Sequence, residues 1–234
     1  MKIFAFVQAR MSSKRFPGKI LFPLAGKTML LYLIESLQRA KHLDGYAVLT
    51  STDVTDDPVE AFCRTHGISY FRGSLQNVAE RFRCAIDHFL PDAFIRISGD
   101  SPFIDHRLID EAVFRFREDK YDLVTNVLER TFPKGQSVEI IRSACFLEAL
   151  TRFETEEDRE HVTPFFYRHS DQFRIVNFTA PGGNFSSENF CVDDMQGLVR
   201  SERIIKNLRG ETAGYGWKEL VDLSRQCAMK GIGS

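Results

Sequence analysis

At 234 residues the chain can bury roughly 70 % or more of its unfolded surface in one core, and 31 Lys+Arg against 32 Asp+Glu leave a net charge of −1. That balance excludes bulk attraction to nucleic acid or to an anionic membrane as the basis of function. Five scattered cysteines (Cys63, Cys84, Cys145, Cys191, Cys227) without a Cys-x-x-Cys pair argue against a zinc site or a disulfide framework, and no apolar run is long enough to span a bilayer, so a cytoplasmic protein is expected.

The apolar run 2–7 predicts a buried first strand, and it leads into Gln8-Ala-Arg-Met-Ser-Ser-Lys-Arg-Phe-Pro-Gly-Lys19. This loop crowds Arg10, Lys14, Arg15 and Lys19 around Ser12, Ser13, Pro17 and Gly18. Four cations in one short loop repel each other, so their convergence calls for a polyanion, and the loop after a strand is where α/β folds bind phosphate. A solvated basic turn would carry the same charges; the fixed Pro-Gly and the place directly after the first strand favour phosphate.

Apolar spacing then predicts a helix over 29–39, a strand over 46–50, a polar turn over 51–58, a helix over 59–66 closed by Gly67 and a short strand over 69–71. A helix over 77–90 and a strand over 93–97 complete a β-α-β-α-β rhythm. The expected fold is α/β, a three-layer Rossmann-like arrangement of a mostly parallel sheet with helices on both faces. In such sheets ligands sit beyond the carboxyl ends of the strands, which draws attention to the basic loop, residues 50–53 and 72–74, and Gly99-Asp-Ser-Pro102.

The second half is less regular. Strands are expected over 121–125 and 137–141, with the charged stretch 126–136 looping over the site between them, and helices over 143–152, 159–168, 195–208 and 217–229. The alternating run 173–178 suits an edge or arm strand. No repeat or interdomain linker interrupts the chain, so one domain over 1–234 is expected, with an inserted lobe for acceptor binding and dimerisation around 126–185. Most of the 21 Phe belong in a core, although such a number also suits a dimer face.

Familiar signatures are excluded by single residues. Gly26-Lys27-Thr28 resembles the end of a phosphate-binding P-loop, but the required glycine is Leu21; no His-Glu-x-x-His, Gly-x-Ser-x-Gly or complete dinucleotide glycine loop occurs. Two acidic sites remain. Asp100 follows the strand at 93–97, and Asp193-Asp194 follow the apolar run Phe190-Cys-Val192, read as a further strand. Each has a plain alternative, a turn cap before Pro102 for Asp100 and the N-cap of the helix beginning near Met195 for Asp193 and Asp194. Joined to the cationic loop, carboxylates from two remote strand ends suit a metal–triphosphate site.

The basic loop resembles the N-terminal signature of the cytidylyltransferases that activate acidic sugars: CMP-KDO synthetase, acylneuraminate cytidylyltransferase and, nearest, the spore coat polysaccharide biosynthesis branch. Gly73-Ser74, Arg81-Phe82, Arg96-Ile-Ser-Gly-Asp-Ser-Pro-Phe-Ile-Asp105, Arg159-Glu-His-Val-Thr-Pro164 and Val192-Asp193 resemble that branch in order and spacing, over about residues 1–205. The resemblance implies a nucleotidyltransferase fold, Mg²⁺ as cofactor, CTP as donor, a sugar or sugar acid as acceptor, and a homodimer. It implies a nucleotide site of Gln8, Ala9, Arg10, Ser13, Arg15, Lys19 and Gly99, with Thr50, Ser51, Thr52, Asn77 and Arg81 near base and ribose. It assigns the metal to Asp100 and Asp193, and the catalytic charges to Arg10, Arg15, Lys19 and Asp100. Three positions depart from the branch: Asn77 stands for its usual Asp, Ser137 for an acid near Glu139, and Asp194 for the Thr after Val-Asp.

The implied reaction is attack of an acceptor hydroxyl on the α-phosphorus of CTP with loss of pyrophosphate. For the acceptor, Arg159, Glu160 and His161 open a helix, and Asn126, Gln136 and Glu139 are expected on the same cleft; His161 is equally at home as a packing residue. Two other classes stay open: a glycosyltransferase, which would carry Asp-x-Asp where this chain has Gly-Asp-Ser-Pro, and a silent homologue that binds nucleotide without turnover.

Overall fold

The computed structural model describes residues 1–13, 15–118 and 120–230, with the side chains of 228–230 left aside. In chain order the elements are β1 (Ile3–Gln8), β2 (Pro23–Leu24), β3 (Lys27–Thr28), α1 (Met29–Arg39), β4 (Gly45–Ser51), α2 (Asp57–Thr65), β5 (Tyr70–Gly73), α3 (Val78–Phe89), β6 (Ala93–Ser98), α4 (His106–Phe116), β7 (Leu123–Thr125), β8 (Glu139–Arg142), α5 (Ser143–Leu150), α6 (Glu156–His161), α7 (Pro164–Arg168), β9 (Ile175–Asn177), α8 (Met195–Asn207) and α9 (Trp217–Lys230).

Seven strands form one sheet in the order β5-β4-β1-β6-β8-β7-β9, and only β8 runs antiparallel to its neighbours. β1 lies between β4 and β6 and helices pack on both its faces, which is why its sequence is a nearly unbroken apolar run. Ile3, Ala5 and Val7 face a core built with α1, α2, α4, α8 and α9. Phe6 faces the other way, into a core built with α3, α5 and α7. There Phe6, Phe82, Phe94 and Phe146 pack ring to ring with centroids 5.2–5.9 Å apart. The abundant Phe is thus mostly core; Phe114 stands out to solvent. The arrangement is the expected Rossmann-like one, three layers around a mostly parallel sheet.

Four expectations change. Residues 106–116 form a helix the sequence reading left out, although Leu108, Ile109, Ala112, Val113 and Phe116 keep helical spacing and Asp105 caps it. The helix expected over 159–168 is two, α6 and α7, broken where Val162 takes φ 70° and Pro164 follows. Residues 190–192 are not a strand: Phe190 N–H donates to Lys134 O and Val192 N–H to Asp100 O, but no ladder forms. In keeping with the exclusion of a P-loop, Gly26-Lys27-Thr28 belongs to the β2–β3 hairpin, whose turn residues Ala25 and Gly26 both have positive φ. The stretch 126–185 contributes β8 and β9 to the central sheet, with β9 an edge strand, and 126–136 lines no part of the cleft described below.

Candidate active site

The basic loop holds its shape through its own backbone. Ser13 and Gly18 N–H groups both donate to Met11 O, at 3.0 and 2.8 Å, and Gly18 takes φ 73°, where a side chain would be strained. A remote turn anchors it: buried Asp56 accepts from Met11 N at 2.7 Å and from Ser51 N at 3.1 Å and the Ser51 hydroxyl. Sequence reasoning missed Asp56. The signal was a serine followed by several acids in the turn after the strand at 46–50, more acids than the turn needed as caps.

The next residue, Lys19, is carried inward by a single 3₁₀ turn, Lys19–Leu21, and is 8 % exposed. Its ammonium lies 2.9 Å from Asp100 Oδ2 and 2.9 Å from Asp193 Oδ1, while Arg15 Nη2 lies 3.0 Å from the same Asp193 oxygen. Residues 81 and 174 positions apart therefore meet on one cation. Asp100 is delivered by the end of β6. Gly99 N–H donates to Gln8 O at 2.9 Å, and a β-carbon at Gly99 would stand 2.6 Å from that oxygen, so only glycine lets β1 and β6 close here. Asp193 is delivered by Val192 N–H bound to Asp100 O at 2.9 Å. Asp194, by contrast, is the N-cap of α8, accepting from Gly197 N at 2.8 Å.

Charges tune one another in this group. Burial pushes Asp193 up, but Lys19 and Arg15 outweigh it and hold the carboxyl below its usual range. Burial pulls Lys19 down, and the two carboxylates more than offset that, leaving it above its usual value. Two carboxylates converging on a single cation suit a hard ion with oxygen ligands, and no cluster of three His, Cys, Asp or Glu exists among the described residues, so Mg²⁺ here would need phosphate oxygens and water to complete its shell.

Around this group opens a cleft of about 810 Å³, walled by Gln8, Arg10, Ser13, Arg15, Lys19, Asn77, Gly99, Asp100 and Asp193 on one side and by Glu156, Arg159, Glu160 and His161 of α6 on the other. Arg10 spans the two, donating to Leu75 O at 3.0 Å and lying 3.6 Å from Glu160. Asn77 caps α3, accepting from Glu80 N, and also lines the cleft. Lys14 lies outside the described residues.

Other expected contacts sit elsewhere. Ala9 is buried, its N–H extending the ladder to Leu49 O. Thr50 and Ser51 are fully buried, Ser51 committed to Asp56; exposed Thr52 bonds Gly73 O, and none of the three lines the cleft. Arg81 lies behind the wall with no exposure, donating to Ser74 O at 2.9 Å, and burial, with Arg10 nearby, lowers its pKa to about 10. Asn126 and Gln136 are structural: Asn126 bonds Gln136 O and Val138 N, and Gln136 bonds Phe103 O and Asp105 N. Glu139 is 2 % exposed and stands behind Arg96, a cleft residue that sequence reasoning missed.

Comparison with known proteins finds that residues 4–203 match the family model described as cytidylyltransferase. The chain is 33 % identical over 94 % of its length to the spore coat polysaccharide biosynthesis protein SpsF of Bacillus subtilis, covering 93 % of that protein. It is 29 % identical to a 3-deoxy-manno-octulosonate cytidylyltransferase of Flavobacterium johnsoniae, over 98 % of each chain. A cytidylyltransferase structure from Leptospira borgpetersenii superposes with a TM-score of 0.92 at 26 % identity, covering 98 % of this chain and 96 % of that one.

Proposed function

This chain belongs to the cytidylyltransferase family and is a CTP-dependent nucleotidyltransferase, and from that premise we propose that it transfers CMP from CTP to a sugar or sugar acid, releasing pyrophosphate, in the cytoplasmic assembly of a surface polysaccharide. The observation that carries this reading is the meeting of Arg15, Lys19, Asp100 and Asp193 at one end of a cleft with room for a nucleotide and a sugar.

No protein nucleophile is required, so the residues act by holding reactants in line and by balancing charge. Arg10, Arg15 and Lys19 bind the triphosphate, with Ser13 at the loop's edge, and neutralise the pyrophosphate as it departs. Gln8, Asn77 and Gly99 wall the nucleotide side, and Arg159, Glu160 and His161 the acceptor side. Asp100 and Asp193 would hold Mg²⁺, which when bound polarises the α-phosphate. The weak Arg10–Glu160 pair is one that phosphate readily displaces, freeing Glu160 for an acceptor hydroxyl. The reading includes a homodimer, which light scattering tests directly. Among the described residues no helix is long and apolar enough to cross a membrane.

The test is a pyrophosphate-release screen with each nucleoside triphosphate, Mg²⁺ and a panel of sugars and sugar acids. CTP is expected to be the preferred donor. Asp100→Ala and Arg15→Ala are expected to fold and to lose at least about 100-fold in turnover, the scale of one preorganised charge contact. Release near the wild-type rate from both variants, or transfer from a nucleotide-sugar instead, would end the reading.

A further inference from the structure

Arg96 of β6 lies directly opposite Glu139 of β8, and Glu139 lies opposite Thr125 of β7. Side chains opposed across a sheet touch, so these three form one polar row on a sheet whose neighbouring row, Phe94 and Ile141, is apolar. Glu139 and Thr125 are 2 % and 0 % exposed, and Arg96 opens onto the cleft. Arg96 Nη1 donates to Glu139 Oε2 at 2.9 Å. Tyr167 of α7 donates to the other carboxylate oxygen at 2.5 Å, and burial together with Glu139 holds its phenol far above the usual pKa, so it stays a donor. Thr125 completes the chain, 2.9 Å from the Tyr167 oxygen and accepting from Val127 N at 3.0 Å.

Glu139 is thus occupied from behind and from the side and has no route to a substrate. A buried ion pair of this kind adds no stability that apolar cross-strand residues would not also supply. What it does supply is a guanidinium fixed in one orientation at the cleft wall. Only Nη1 of that guanidinium is used: Nε is buried without a partner, and Nη2 bonds no described residue. Nε is shut off from the cleft, so Nη2 is the donor left for a ligand oxygen there, through one charge-assisted hydrogen bond. Arg159, the other cleft arginine on the acceptor side, is paired with no carboxylate among the described residues and donates to Phe153 O at 3.3 Å.

We propose that Arg96 binds the carboxylate of the acceptor through its Nη2, with Glu139, Tyr167 and Thr125 as positioning residues behind it. The assignment rests on the cytidylyl-transfer reading of the cleft. It makes Arg96 the residue that separates sugar acids from neutral sugars.

Deleting the guanidinium alone would strand the Glu139 charge, so the test uses Arg96→Lys, which keeps a cation for Glu139 without the second terminal nitrogen, and the double variant R96M/E139Q, which removes both charges together. The probes are CTP with 3-deoxy-manno-octulosonate and N-acetylneuraminate as acids, and N-acetylmannosamine and mannose as neutral sugars, read by pyrophosphate release and thermal melting. The wild type is expected to use an acid and not the neutral sugars. Both variants are expected to melt cooperatively, keep the KM for CTP, and lose about 10- to 100-fold in acceptor kcat/KM, the value of a hydrogen bond to a charged group. Tyr167→Phe is expected to raise acceptor KM several-fold while kcat and the KM for CTP hold, a split that mere loosening of the fold would not give. Neutral sugars used as well as acids, an unchanged acceptor kcat/KM in Arg96→Lys, or CTP binding without turnover of either acid would each overturn the assignment. Failure to bind CTP at all would instead overturn the transfer reading beneath it.

Discussion

Lys19 joins the two acidic ends of the site, and its protonation behaviour can be worked out from its neighbours. Asp193 has a folded pKa below the ordinary 3.8, and Lys19 one above the ordinary 10.5. A depressed carboxylate contributes stability above its unfolded pKa and loses it as pH falls through the folded value; a raised lysine contributes below its unfolded pKa and loses it as pH rises through the folded value. The cluster therefore stabilises fully between roughly pH 4 and pH 10 and fades on both sides. Denaturant melts of wild type and Asp193→Asn should differ at neutral pH and converge as pH falls below about 4; a gap that stays constant to pH 2.5 would contradict the pairing. The cations of this cluster were legible in the loop's composition. Its anchor was not, because Asp56 reads as one of several acids in a polar turn until the fold brings Met11 to it.

At the scale of elements, the short helix α6 carries Arg159, Glu160 and His161 to the cleft, and six residues alone cannot sustain a helix in water. Its start is held by a reciprocal cap, Thr155 accepting from Asp158 N at 3.1 Å while Asp158 accepts from the Thr155 N–H and hydroxyl. Thr155→Val should cost about 1 kcal/mol, a drop of about 2–4 °C in melting temperature, and should raise acceptor KM more than the KM for CTP. Equal effects on both substrates would mean that α6 does not serve the acceptor. The sequence announced a helix in this region through its acids and apolar spacing. It concealed the break, since a valine at φ 70° is a conformation that only surrounding packing imposes.

At the scale of the whole molecule, the two halves of the site meet through the closeness of the β1 and β6 ends. Gly99→Ala would drive a methyl group against the Gln8 carbonyl, a backbone atom with no rotamer to escape into, so a loss of about 1–3 kcal/mol and near-complete loss of turnover are expected; an alanine variant with normal melting and activity would refute that closure. The alternation of strands and helices, the crowding of cations in the first loop and the family were all readable from the chain itself, because period, turn residues and local charge density are properties of neighbours in sequence. Which acids share Lys19, that Arg96 lines the cleft with Glu139 behind it, and that Asn126, Gln136 and Ser51 serve the scaffold instead were decided only when strands far apart in sequence came side by side. Burial and pairing belong to contacts between distant residues, and a list of residues carries no record of those contacts.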